Sequence, residues 1–243
     1  MNITTKPVEY FDGKQKCIGY VAWDESVASE RPCVLIGHAW GGLDSFAQQQ
    51  AVQMAALGYV GFVPDLYGDG AQPESVDDKM AMMGPLKENR KALLTRVKAG
   101  MKAAGAMDEV DAGNMAMIGF CFGGLTTLDL ARSGADIKAA ISFHGLLDAP
   151  DLPKKKIKAK VLVAHGWDDP MAKPDTVLAL GSELTEAGCD WQILALGGTS
   201  HAFSVPGAEN KDLGLMYNER SAARSWNTAF ALLDEVFALH GTV

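Results

Sequence analysis

The chain has 243 residues, 48% of them hydrophobic and 21% charged, the composition of an ordinary globular protein with a sizeable core. Its formal net charge of −8 argues against a nucleic-acid-binding or anionic-membrane surface, because both partners are themselves negative. No apolar run approaches a membrane span, and residues 1–7 lack the apolar core of a signal peptide.

Taken in chain order, residues 32–37 read as a buried strand, 48–57 as a helix closed by Gly58, and 59–64 as the next strand. Tyr67-Gly68-Asp69-Gly70 reads as a turn, too short to cradle a phosphate. A charged helical region follows, interrupted near Gly84-Pro85 and resuming over 94–104. Residues 114–119, 138–143, 160–164 and 191–196 are strand-like; 123–132, 174–187 and 219–239 are helical. The basic run Lys154-Lys155-Lys156-Ile157-Lys158 fits a solvated loop before a strand.

Continuous apolar strands alternating with helices predict an α/β fold, with a mostly parallel central sheet and helices on both faces. No repeat or linker divides the sequence, so a single domain over residues 1–243 is expected. Catalytic groups in such a sheet belong at the carboxyl ends of strands. Four cysteines (Cys17, Cys33, Cys121, Cys189) lie far apart, with no CxxC pair and no zinc-ligand spacing. That pattern predicts reduced thiols, a cytoplasmic location and no metal.

Gly119-Phe120-Cys121-Phe122-Gly123-Gly124 stands where a strand becomes a helix. This is the G-x-S-x-G nucleophile elbow of α/β-hydrolases with cysteine in place of serine. Glycines two residues before and after the nucleophile avoid collisions on the sharp turn. The following helix points its N-terminus at the site, favouring a thiolate and a developing oxyanion. A buried core cysteine could sit in the same five residues; the order of the remaining candidates favours a nucleophile.

His165-Gly166-Trp167-Asp168-Asp169-Pro170 follows the strand 160–164, where this fold carries the acid that orients the catalytic imidazole. Two residues between glycine and aspartate, with proline next, select Asp169; Asp168 is expected to cap the turn or face solvent. Gly197-Gly198-Thr199-Ser200-His201-Ala202-Phe203 follows the last strand and places His201 as general base. His144 and His165, each ending a strand before a glycine, could border the site; for both, satisfied structural hydrogen bonding is the stronger expectation. His240 is expected to be solvated.

Gly37-His38-Ala39-Trp40-Gly41-Gly42-Leu43-Asp44 follows the strand that should supply the second oxyanion donor. The amides of Phe122 and of a residue within 38–40 are the candidates. Trp40, Phe122, Met82 and Met83 could line an apolar pocket, although helical spacing assigns the methionines to the core.

With these motifs, and with Gly58-Tyr59-Val60, Pro64-Asp65-Leu66-Tyr67 and Ser142-Phe143-His144-Gly145, the chain resembles the dienelactone hydrolase family from about Pro32 to the terminal helix. The resemblance implies a Cys121, Asp169, His201 triad, oxyanion amides from Trp40 and Phe122, and hydrolysis of lactones or small carboxylic esters without a cofactor. A small-molecule substrate and a monomer or homodimer are expected. Two positions depart from the family. The glutamate that commonly follows the residue matching His38, and takes part in activating the cysteine, is Ala39 here. The arginine expected four residues beyond the histidine is Val205, and no arginine occurs between Arg31 and Arg90. The expected chemistry is acyl transfer through a thioester on Cys121. The rivals are a thiol sensor or acyl carrier using a reactive Cys121, and an inactive ligand-binding relative.

Overall fold

The structure is a computed structural model and describes residues 1–237. Parallel strand pairs dominate it and alternate with helices, as the continuous apolar strands require. The described chain packs as two compact units, residues 1–118 and the residues from 119 onward, and passes from one to the other inside strand β5 (Val110–Phe120).

The first unit opens with an antiparallel hairpin, β1 (Ile3–Asp12) and β2 (Gln15–Asp24), which the sequence reading did not identify. Strands β3 (Arg31–Gly37) and β4 (Val60–Val63) run parallel, with Cys33 opposite Val60, and the strand order is β1-β2-β4-β3-β5. Helix α1 (Ser45–Ala56) starts where the Asp44 side chain accepts from the Ala47 amide at 3.0 Å.

Helices α2 (Val76–Glu88) and α3 (Arg90–Ala104) complete the unit. The expected break at Gly84-Pro85 is not there: α2 runs through Pro85 and ends at Asn89, whose side chain caps α3 by accepting from the Ala92 amide at 3.1 Å. The helix carries Pro85 through its last turn, whereas an Asn that caps the next helix imposes a true boundary. The turn after β4 is organised by Asp65, whose carboxylate accepts from the amides of Ile18, Tyr67, Gly68 and Gly70.

The second unit begins with the last residues of β5 and holds α4 (Phe122–Arg132), β6 (Ala139–Phe143), β7 (Lys160–Gly166), α5 (Pro174–Glu186), β8 (Trp191–Leu196), the short pair β9 (Glu209–Asn210) and β10 (Leu215–Met216), and α6 (Glu219–Phe237). Strands β6, β7 and β8 are parallel neighbours, with Ala140 opposite Val161 and Val161 opposite Trp191. Every residue of α4 is buried. Helix α6 buries Ser221, Ala222, Ser225, Ala229 and Leu233, the spacing of one helical face. Its Trp226 packs on Phe143, ring centroids 4.7 Å apart, and on Phe120 at 5.9 Å. These aromatic contacts fix the strand ends that carry the site. The lysine run at 154–156 is exposed in the loop before β7, as expected.

Candidate active site

Cys121 sits between β5 and α4 with φ 53° and ψ −113°, a conformation in which a residue with a side chain is strained. Its amide donates to the Phe143 carbonyl at 3.1 Å, hooking the elbow to the end of β6. A Cβ on Gly119 would lie 2.0 Å from the Gly123 carbonyl oxygen and 2.4 Å from Thr127 Oγ1. One on Gly124 would lie 2.6 Å from Ser142 Oγ and 2.7 Å from the Gly145 Cα. Gly119 and Gly124 are therefore demanded by close approach of helix and strand. The strained turn lifts the thiol out of the core: Cys121 is partly exposed, whereas Cys17 and Cys33 are fully buried in β2 and β3. Burial pushes the Cys17 thiol up to about 11 and raises Cys33 as well, which disfavours the thiolate at both.

His201 and Asp169 meet at the carboxyl ends of β8 and β7. The imidazole Nδ1 and Asp169 Oδ2 are 2.6 Å apart and both residues are almost fully buried. Asp169 Oδ1 accepts from the Met171 amide at 2.8 Å, which holds the carboxylate in its turn. Asp168 is exposed and uses its amide on the Thr199 carbonyl at 2.9 Å. The choice between the two aspartates thus follows from which one the turn buries.

Burial alone would lower the His201 pKa, but the charge of Cys121 and the hydrogen bond to Asp169 outweigh it and push the imidazole up to about 10. Nε2 closes no aligned hydrogen bond at rest, so its interaction with Cys121 is chiefly coulombic. The backbone holds the ring's loop from the other side. The His201 carbonyl accepts from the Met216 amide at 2.9 Å, and the Phe203 carbonyl from the Asn218 amide at 3.0 Å.

Cys121, Asp169 and His201 are therefore brought together within one compact unit, across 80 residues of sequence. Phe122, fully buried, is the first residue of α4, so its amide stands at the N-terminal end of that helix, where the helix dipole favours negative charge. Trp40 lies in the first unit after β3, where its carbonyl accepts from the Tyr67 hydroxyl at 3.0 Å and Lys79 Nζ stands 5.6 Å from its ring centroid. In the same loop His38 is a structural imidazole. It donates from Nδ1 to the Ala39 carbonyl at 2.7 Å and accepts on Nε2 from the Leu66 amide at 3.2 Å, and burial holds its pKa below the usual value.

His144 meets the expectation of satisfied hydrogen bonding in part: Nε2 is 2.9 Å from Ser204 Oγ, Nδ1 has no hydrogen-bond partner among the described residues, and the ring lies 5.0 Å from that of His201, beside the site. His165 does not. It is fully buried, yet neither ring nitrogen has a hydrogen-bond partner among the described residues, and burial lowers its pKa. Ending a strand satisfied its backbone, not its side chain. His240 lies outside the described residues. Among the described residues no group of three or more His, Cys, Asp or Glu side chains could hold a metal ion. Sequence reading missed Ser204, because nothing in its spacing from His144 marks the two as partners.

The sequence profile of the dienelactone hydrolase family matches residues 18–237. A crystal structure of a dienelactone hydrolase-like promiscuous phosphotriesterase, P91, from metagenomic libraries is 36% identical with a TM-score of 0.91, covering 98% of this chain and 100% of that one. A structure called m3DLH is 35% identical with a TM-score of 0.92 over the same shares. The dienelactone hydrolase of Anabaena variabilis, at 17% identity, a TM-score of 0.68 and coverage of 98% and 100%, shares the α/β-hydrolase fold.

Proposed function

The chain belongs to the dienelactone hydrolase family and is a hydrolase of the ester and lactone class; from that premise we propose that it cleaves small carboxylic esters or lactones by a Cys121–His201–Asp169 triad through a thioester. The observation that carries the reading is the buried His201–Asp169 contact of 2.6 Å beside a strained, partly exposed Cys121.

His201, oriented by Asp169, takes the thiol proton of Cys121, and the thiolate Sγ attacks the carbonyl carbon. The carbonyl π pair moves to oxygen, where the Phe122 amide stabilises it; the Trp40 amide is assigned as second donor from the family resemblance. Collapse expels the alkoxide, which takes its proton from the His201 imidazolium and leaves an acyl thioester on Cys121. Neutral His201 then deprotonates a water that attacks the thioester. The carboxylic acid departs and the proton returns to the Cys121–His201 pair. With Ala39 where relatives carry a carboxylate, the pair is ready before substrate arrives.

A thiol sensor or an inactive binding protein would not need an acid holding the imidazole beside the cysteine, which supports hydrolysis over both. A cytoplasmic location suits a mechanism that needs a reduced thiol. Among the described residues no helix is long and apolar enough to cross a membrane.

The test is a panel of aryl esters, enol esters and lactones, with an aryl phosphotriester added because P91 is described as a promiscuous phosphotriesterase. Cys121→Ala is expected to lower ester turnover by about a thousandfold or more. Turnover that survives this change unaltered removes the proposal.

A further inference from the structure

Resting on the triad reading above, we propose that His144 and Ser204 form a positioning pair that fixes the ring of His201 for proton transfer. Asp169 holds one corner of that ring, at Nδ1, and a ring held by a single side-chain bond can still swing about it. The surface that stops the swing is His144, whose ring centroid stands 5.0 Å away at an interplanar angle of 65°. His144 is in turn packed edge-on against Phe203, at 5.2 Å and 82°. Its Nε2 shares a 2.9 Å hydrogen bond with Ser204 Oγ, on the same loop as His201. One side chain at the end of β6 therefore braces the catalytic ring and staples the segment that carries it.

The position is costly in ways that packing alone would not require. His144 adopts φ 38°, uncommon for any residue but glycine, and its amide is committed to the Ala164 carbonyl at 2.8 Å. It is 1% exposed and Ser204 4%, so a polar bond has been built where an aromatic hydrocarbon would fill the same volume. Burial and the neighbouring His201 charge keep His144 well below the usual histidine pKa, so it stays neutral and leaves the proton to His201. Ala202, between the base and the pair, is also held at positive φ, 56°, so the loop that the pair fastens is strained.

The experiment uses steady-state and burst kinetics with 4-nitrophenyl acetate on the full chain, with active sites counted by alkylation of Cys121. His144→Phe keeps a ring and its volume but loses the bond; Ser204→Ala loses the same bond from the other end. Each is expected to lower kcat per active site by about tenfold with KM little changed, a size suited to a misplaced catalytic group. The double variant should be no worse than either single one, because both remove one interaction. His144→Gln, whose amide reaches the Nε2 position, should recover most of the lost kcat. The proposal is overturned if both single variants keep wild-type kcat per active site, or if the loss follows only the count of alkylatable sites. A loss in His144→Phe that Ser204→Ala does not share overturns it too, and Ser204→Ala decides alone where His144→Phe does not fold. Cys121→Ala, run alongside, separates the outcomes: if it is as active as wild type, the triad reading itself has failed.

Discussion

At the scale of single residues the site turns on how one imidazole is charged. An ordinary histidine loses its proton near pH 6.5, but His201 holds its own up to about 10 because Cys121 and Asp169 outweigh its burial. At pH 8 the ring is thus still an imidazolium, the form that protonates a departing alkoxide, and it is lost as pH rises through about 10. The imidazole NMR signals of His201 should accordingly titrate far above those of a free histidine. In Cys121→Ala, which takes away the largest raising influence, the midpoint should move down. Asp169→Asn removes the second influence and frees the ring's orientation; turnover should fall between about a hundredfold and ten-thousandfold. An unchanged His201 titration in both variants would separate its charge from the triad. The sequence pointed to Cys121, Asp169 and His201 because each stands beside a glycine-marked strand end. It could not separate His144 from His165. Both end apolar strands before a glycine, and only the three-dimensional approach of Ser204 gives one of them a partner.

At the scale of elements the proposed nucleophile depends on α4 lying hard against Gly119 and against the end of β6. Gly119→Ala would drive a Cβ to 2.0 Å from a backbone oxygen that cannot step aside, and it should destabilise the chain by about 3 kcal/mol and abolish the elbow. The far end of α4 is tied down by Arg132. Its guanidinium donates to both carboxylate oxygens of Glu183 on α5, at 2.8 and 2.7 Å, and to the carbonyls of Leu147 and Asp148 in the segment after His144. Arg132→Met should cost about 2 to 3 kcal/mol, below the value for a fully buried pair because Glu183 is 22% exposed. Denaturant midpoints measure this, and adding Glu183→Leu should restore part of the loss by removing the carboxylate left unpaired. No recovery in the double variant would mean that the loss lies with Asp129, fully buried and 3.3 Å from the same guanidinium, rather than with Glu183. Strand β8 was legible to the residue because its apolar run is bounded on both sides. The β1–β2 hairpin was not: β1 is an edge strand with Pro7 inside it and a mostly solvated pattern, so burial left little periodicity to read. Its one local signal was Asp12-Gly13, with Gly13 at φ 59° in the turn.

At the scale of the whole molecule the unresolved choice is among ester substrates, and charge decides it. The formal net charge is −8, and the arginine that relatives acting on dienelactones place four residues beyond the histidine is Val205. A substrate carboxylate approaching this protein meets an unfavourable field and lacks that guanidinium to replace the water it gives up. A neutral ester of the same size incurs neither penalty. Matched pairs, an acid-bearing lactone and its methyl ester or a hemisuccinate and an acetate of one phenol, should therefore differ in kcat/KM by tenfold or more in favour of the neutral member, on the order of one lost charged hydrogen bond. Salt sharpens the test, because about 0.5 M shortens the screening length to a few ångströms. Raising ionic strength should speed the anionic substrate and leave the neutral one nearly unchanged. Introducing a cation with Val205→Arg should narrow the gap chiefly through KM of the anionic member. A wild-type preference for the carboxylate, weakened by salt, would instead mean that other cations near the site take the role of the missing arginine.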